Sequence, residues 1–314
     1  MIFKASLKRS LLLLAAASLA LAACGEKKTT SSTPQELNFS VQPAEGADLA
    51  TQHWTPLIND LNRKTGLKVK LYLSPNYTVL VQAMQHNQTQ IAWFSALPAV
   101  EATNRAGAEV FARTVDEQGR TTYTSVILAR KGAGLTVDKL MKCDKTLNFG
   151  IGDAKSTSGT LAPKTFLFDP KNVTPEQCFK QVRSANHQAN MLAVANGLVD
   201  AATNNSTGLN FYRTGTPEAQ AAFAKTEVIW ESPTLPESAM LYRQDLDPAV
   251  KEKLRQFFLT YGTAPGPEGD KERENLKLLK YSKFEAADDS YLAPIRAMME
   301  AQEKADKAAA QKAK

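Results

Sequence analysis

Histidine and cysteine are scarce in this chain, three of each among 314 residues, and the scarcity removes most metal and thiol chemistry. A structural or catalytic metal needs three or four such ligands brought close together. His53, His86 and His187 are dispersed, and the cysteines show no metal-ligand spacing, so no metal site and no cofactor are expected. Basic excess is thin as well. The formal charge is +6; subtracting Lys4, Lys8 and Arg9 at the start leaves +3, and much of that belongs to the Ala/Lys-rich end from Lys304 to Lys314. A nucleic-acid footprint requires a denser basic face. Long apolar runs are missing too: the stretch Leu11 to Leu21 is too short to span a membrane comfortably.

What surrounds that stretch gives it a different meaning. Lys4, Lys8 and Arg9 precede it and Leu21-Ala22-Ala23-Cys24 follows it, the layout of an export signal ending in a lipobox-like site. Residues 1–23 are expected to be removed and Cys24 to be lipidated, leaving a soluble domain tethered outside the cytoplasm to a bacterial membrane. Residues 24–36, rich in Lys, Thr and Ser, read as the flexible tether. Cys143 and Cys178 are then the remaining thiols. In an oxidising compartment such a pair often bonds, and the sequence leaves that bond open.

From Glu36 onward strand-like runs alternate with helical patterns, which predicts an α/β protein with room for two lobes. Leu37 to Val41 reads as a strand. His53 to Thr65 reads as a helix with Trp54, Leu57, Ile58 and Leu61 on one face, stopped by Gly66. Further strands are expected at Leu67–Leu73, Ile91–Phe94, Val110–Val115 and Tyr123–Ala129. Leu147-Asn148-Phe149-Gly150-Ile151 echoes Leu37-Asn38-Phe39-Ser40-Val41, as though each lobe opened on the same kind of strand. Crossovers are placed near Ala129–Gly132 and Ser232–Ala239. The lobes are accordingly 37–130 plus 239–300 for the first and 131–238 for the second, with 301–314 a tail.

The most informative motif is Gly152-Asp153-Ala154-Lys155-Ser156-Thr157-Ser158-Gly159, a hydroxyl-rich turn between a strand and a helix. It has two readings: an ordinary Ser/Thr helix cap, or an anion cradle of backbone N–H groups and hydroxyls. Other strand ends carry matching chemistry, at Pro75-Asn76-Tyr77, at Trp93-Phe94-Ser95, at Tyr123 and at Asn186-His187. Ligands of open α/β sheets bind at such ends. Each residue taken alone also has a plain packing role.

Taken in order, Trp54-Thr55-Pro56, Pro75-Asn76-Tyr77, Ile91-Ala92-Trp93, Gly152-Asp153 with Ser156 to Gly159, His187, Ala193 to Asn196, Asp200 with Ala202 to Asn205, and Ser232-Pro233 carry a resemblance. The chain resembles the PhnD-type substrate-binding proteins of phosphonate ABC transporters over nearly all of Leu37 to Arg296. The resemblance implies a type II periplasmic binding fold, two α/β lobes joined by two crossover strands, acting as a monomer that hands its ligand to a permease. It implies that Ser156, Thr157 and Ser158 hold phosphonate oxygens, with His187 as a second donor, protonated for charge assistance, and Tyr77 and Tyr123 bonding the same group. Trp93, Phe94, Ser95, Asn205, Thr207 and Ser238 complete the expected pocket. Where amine-binding relatives place carboxylates this chain has Thr207 and Ser238, with Glu237 offset by one residue. A ligand without a cationic amine, such as a short alkylphosphonate, phosphite or phosphate, is therefore expected. A sensor subunit and a phosphoester or phosphonate hydrolase are the alternatives; the latter lacks a third group to orient the Ser–His pair and any carboxylate cluster with metal spacing.

Overall fold

The computed structural model describes residues 36–312, so the expected leader and the expected lipidated Cys24 lie outside the described residues. Two sheets dominate. The first is built from β1 (Glu36–Val41), β2 (Lys68–Leu73), β3 (Ile91–Phe94) and β4 (Ala108–Asp116), together with two strands from the far end of the chain. The chain then makes the short β5 (Thr122–Tyr123) and enters a second sheet of β6 (Ser125–Arg130), β7 (Asn148–Ile151), β8 (Gln181–Ser184), β9 (Ala201–Asn205) and β10 (Thr226–Glu231). It returns through β11 (Leu235–Pro236) to complete the first sheet with β12 (Ala239–Arg243) and β13 (Tyr281–Ala286).

The strand orders are β13-β4-β12-β3-β1-β2 and β10-β6-β9-β7-β8. In each sheet the opening strand, β1 or β7, lies between two parallel partners, so the echo between Leu37–Val41 and Leu147–Ile151 is a structural equivalence. In each sheet, too, an antiparallel strand delivered by the crossing chain is inserted next: β12 between β3 and β4, and β6 between β9 and β10.

The first crossing differs from the expectation. The chain leaves the first sheet after Asp116, and Ser125–Arg130, assigned above to the first lobe, belongs to the second sheet. The crossing strands β5 and β11 pair antiparallel, and the Ser125 N–H donates to Ser232 Oγ at 3.0 Å beside them. Through Lys312 the tail continues the final helix, Ala293–Lys312.

Apolar side chains pack on both faces of each sheet. In β12, Ala239 and Leu241 enter one core and Met240 and Tyr242 the other, as a two-residue period requires. In the second sheet, Ile127, Phe149 and Ala201 face one cluster, and Val126, Leu128 and Ala202 the opposite one. Cys143 and Cys178 are joined in a disulfide.

Candidate functional site

The cleft between the sheets, about 750 Å³ counting the part open to solvent, is lined from both sides. One end is rich in hydrogen-bond donors. Its floor is the hydroxyl-rich turn, which runs into wide π-helical turns at Thr157–Leu161. Ser156 caps that helix, its Oγ accepting from the Gly159 N–H at 3.0 Å. The turn is held by contact between two glycines: the Gly152 N–H donates to the Gly159 carbonyl at 3.0 Å, and a Cβ on Gly152 would lie 2.6 Å from the Gly159 Cα. Only glycine fits at that approach. Ser125 Oγ donates to the Ser158 carbonyl at 2.6 Å, which fixes the next residue of the turn.

Ser158 Oγ lies 3.4 Å from His187 Nε2. His187 opens the helix His187–Ala195, capped by Asn186, and the Asn204 amide donates to its carbonyl at 2.9 Å. In the absence of an anion, burial pushes His187 down to about 4, so it is neutral at pH 7. From the opposite side come Tyr77, whose hydroxyl meets Ser95, and Tyr123, whose hydroxyl meets Ser158 and Thr157. Burial raises both phenols above their ordinary range, so each remains a protonated donor.

Of the residues singled out from the sequence, Tyr77, Trp93, Ser95, Tyr123, Ser156, Ser158, His187, Asn205, Thr207 and Ser238 line the cleft. Two do not. Phe94 is core, its ring 6.5 Å from that of Tyr77, because alternation along β3 turns it away from the face shown by Trp93 and Ser95 departs from the strand at its end. Thr157 is buried beneath the wall, where its Oγ1 accepts from the Leu97 N–H at 2.8 Å. It joins the two sides of the cleft. Lys155 does the same with Glu101 at 2.5 Å, as does the His187 N–H, which donates to the Ala44 carbonyl at 3.0 Å.

Sequence reasoning missed part of the lining. Glu45 and Glu237 line it, together with His53, Trp54, Phe211 and Tyr281. Glu237 accepts from Thr207 Oγ1 at 3.0 Å, from Thr114 Oγ1 at 3.2 Å and from the Ser238 N–H at 3.2 Å. Glu45 accepts from the Tyr212 hydroxyl. Burial pushes each carboxyl up to about 7. The offset of one residue thus does not keep Glu237 from the wall, which it lines beside Ser238. Glu45 follows the C-terminal end of β1, the same position that drew notice to Tyr77, and that signal was available. Tyr281 and Phe211 carried none. No Lys or Arg occurs among the described residues lining this cleft.

Known proteins match most of this chain. Residues 39–292 fit the family model of the ABC transporter phosphonate periplasmic substrate-binding protein. The chain is 37% identical over 261 residues to the phosphonates-binding periplasmic protein of Escherichia coli, covering 83% of this chain and 75% of that one. The binding protein component of an ABC phosphonate transporter from Pseudomonas aeruginosa shares the fold with a TM-score of 0.82 and 34% identity, over 88% of this chain and 89% of that chain. PhnD1 of Prochlorococcus marinus in complex with methylphosphonate is similar in fold, with a TM-score of 0.75 at 21% identity over 86% and 99% of the two chains. These relatives are transporter binding proteins rather than enzymes, which sets aside the hydrolase reading. The chain belongs to the family of periplasmic substrate-binding proteins of phosphonate ABC transporters.

Proposed function

We propose that the protein captures a phosphonate or a related phosphorus oxyanion in the cleft, with the phosphonyl group at the end formed by Ser156, Ser158, His187, Tyr77 and Tyr123. The observation that supports this is the convergence of buried, neutral donors from both sheets on one end of one cavity. A phosphonate presents three acceptor oxygens and needs donors more than it needs a single cation. Closure follows from the same arrangement. A ligand bonded to the Ser156–Ser158 turn and to the two tyrosines touches both lobes, so it binds the closed form better than the open one. The closed, loaded form is then delivered to a permease. The protein works as a monomer tethered through a lipid on Cys24. The preference for tails without a cationic amine, which Thr207 and Ser238 imply by themselves, is not carried into this reading, because Glu45 and Glu237 line the wall.

Calorimetric titration with methylphosphonate, phosphite and phosphate tests the assignment. Saturable binding of at least one of these at one site per chain, weakened in Ser158→Ala, is expected. Unchanged affinity in that variant puts the clamp elsewhere.

A further inference from the structure

Gln42 follows the last residue of β1 and lines the cleft. It also lines a side pocket of about 220 Å³, counting the part open to solvent, which it shares with Tyr77, Ser156 and His187 of the clamp. Gln42 is 5% exposed, and its Oε1 is buried with no hydrogen-bond partner among the described residues. Leaving a buried amide oxygen unpaired destabilises a fold, and the exceptions that persist belong to working sites more often than to packing. Packing alone gives no reason for Gln42, since a methionine fills nearly the same length without a polar group to satisfy.

The clamp shows what a spare acceptor is for. A fully ionised phosphonyl group only accepts, so an amide oxygen beside it would meet another acceptor with no proton between them. A singly protonated group has a P–O–H to donate. Charge points the same way. No Lys or Arg occurs among the described residues lining the cleft or the side pocket, and His187 is neutral at pH 7 in the ligand-free protein. Burial first, and then the charges of Asp153 in the side pocket and Glu45 along the cleft, raise the Tyr77 phenol between them. One negative charge costs less to bury in such surroundings than two. Asp153 is the other acceptor of the side pocket, but it is engaged in shaping the turn: its Oδ1 accepts from the Lys155 N–H at 2.8 Å and its carbonyl from the Ser156 N–H at 2.8 Å.

We propose that Gln42 is a specificity-determining residue, which accepts the P–O–H hydrogen bond of a singly protonated phosphonyl group. The assignment rests on the clamp proposed above. The cleft then takes the phosphonate monoanion, its ionised oxygens toward the hydroxyls of Ser158, Tyr77 and Tyr123, and rejects anions of the same shape that carry no proton. A sulfonate is such an anion: tetrahedral, singly charged, with oxygens that only accept.

Calorimetric titration of the full chain at pH 8 with methylphosphonate, methanesulfonate and difluoromethylphosphonate tests it. The fluorines make the last proton easier to lose, so the third probe is almost wholly the dianion, and a single pH holds the protein's own ionisation constant. Methylphosphonate is expected to bind at least about tenfold tighter than either of the others. Gln42→Met should weaken methylphosphonate about tenfold and narrow both ratios. The melting temperature of ligand-free Gln42→Met should be unchanged or higher, because the substitution removes an unpaired polar group. Equal affinity of the two phosphonates in the wild-type protein places the proton on the protein instead and overturns the assignment. Unchanged affinities in Gln42→Met overturn it too, leaving the side pocket to water, and a lower melting temperature with unchanged ratios reduces Gln42 to a packing residue. Binding weakened by Ser158→Ala but not by Gln42→Met leaves the clamp standing without it. No binding of either phosphonate to the wild-type protein overturns the assignment together with the clamp as a phosphonate site.

Discussion

Ser158 and Tyr123 lie on opposite walls of the cleft, one on the hydroxyl-rich turn and one on a crossing strand, and both aim hydroxyls at the same point. Each donates to a charged acceptor in the proposed complex, where a lost hydrogen bond costs about 1.5–3 kcal/mol. Tyr123→Phe and Ser158→Ala are therefore expected to weaken phosphonate binding by roughly 10- to 100-fold each, measured by calorimetry, and values near wild type would remove these residues from the clamp. Thr157→Ala acts differently. Its hydroxyl is committed to the Leu97 N–H, so its loss loosens the contact between the walls rather than a contact with ligand. At this scale the donors were legible in the sequence, because Ser, Thr, Tyr and His at strand ends have few other reasons to gather. The carboxylates were legible only in part: Glu45 follows a strand end and Glu237 adjoins Ser238, but their place against the helix Ser206–Arg213 comes from the fold.

Helices with glycine stops, such as Ala47–Thr65 ending at Gly66 in the left-handed region, were readable because periodicity and the stop agree. The first crossing was not readable, and the reason is local. β5 is two residues long and Thr124 alone separates it from β6, so Tyr123 to Ala129 reads as one strand and a change of sheet leaves no break in it. The pairing of Cys143 with Cys178 was likewise open until the fold brought them together. The turn that carries the clamp depends on Gly152 lying against Gly159. Gly152→Ala places a Cβ 2.6 Å from backbone and should cost about 1–3 kcal/mol. A melting temperature several degrees lower, with binding weakened as the turn shifts, is expected; a fully stable variant would show that the close approach is not required.

For the whole molecule, the two ends of the cleft set opposing pH dependences. Burial raises Glu45 and Glu237 from 4.5 to about 7, so the stability they contribute at low pH is lost as pH rises through about 7. Burial lowers His187 from 6.5 to about 4, so its contribution is present above 6.5 and is lost as pH falls toward 4. Above pH 6.5 the carboxylates dominate, because two groups lose stability there while the remaining gain from His187 is small. The melting temperature of the ligand-free protein should therefore fall from pH 6.5 to pH 8, and Glu237→Gln should make the fall shallower; equal slopes in both proteins would mean that Glu237 does not titrate in this range. The two-sheet frame joined by β5 and β11 brings donors and carboxylates from both walls into one cleft, and the ligand's orientation within it is the most direct consequence. A crystal structure with 2-aminoethylphosphonate bound tests it. The phosphonyl oxygens are predicted to lie within hydrogen-bonding distance of Ser158 Oγ and of the Tyr77 and Tyr123 hydroxyls, with the nitrogen toward Glu45 and Glu237. A phosphorus atom at the carboxylate end, or outside the cleft, would contradict the account.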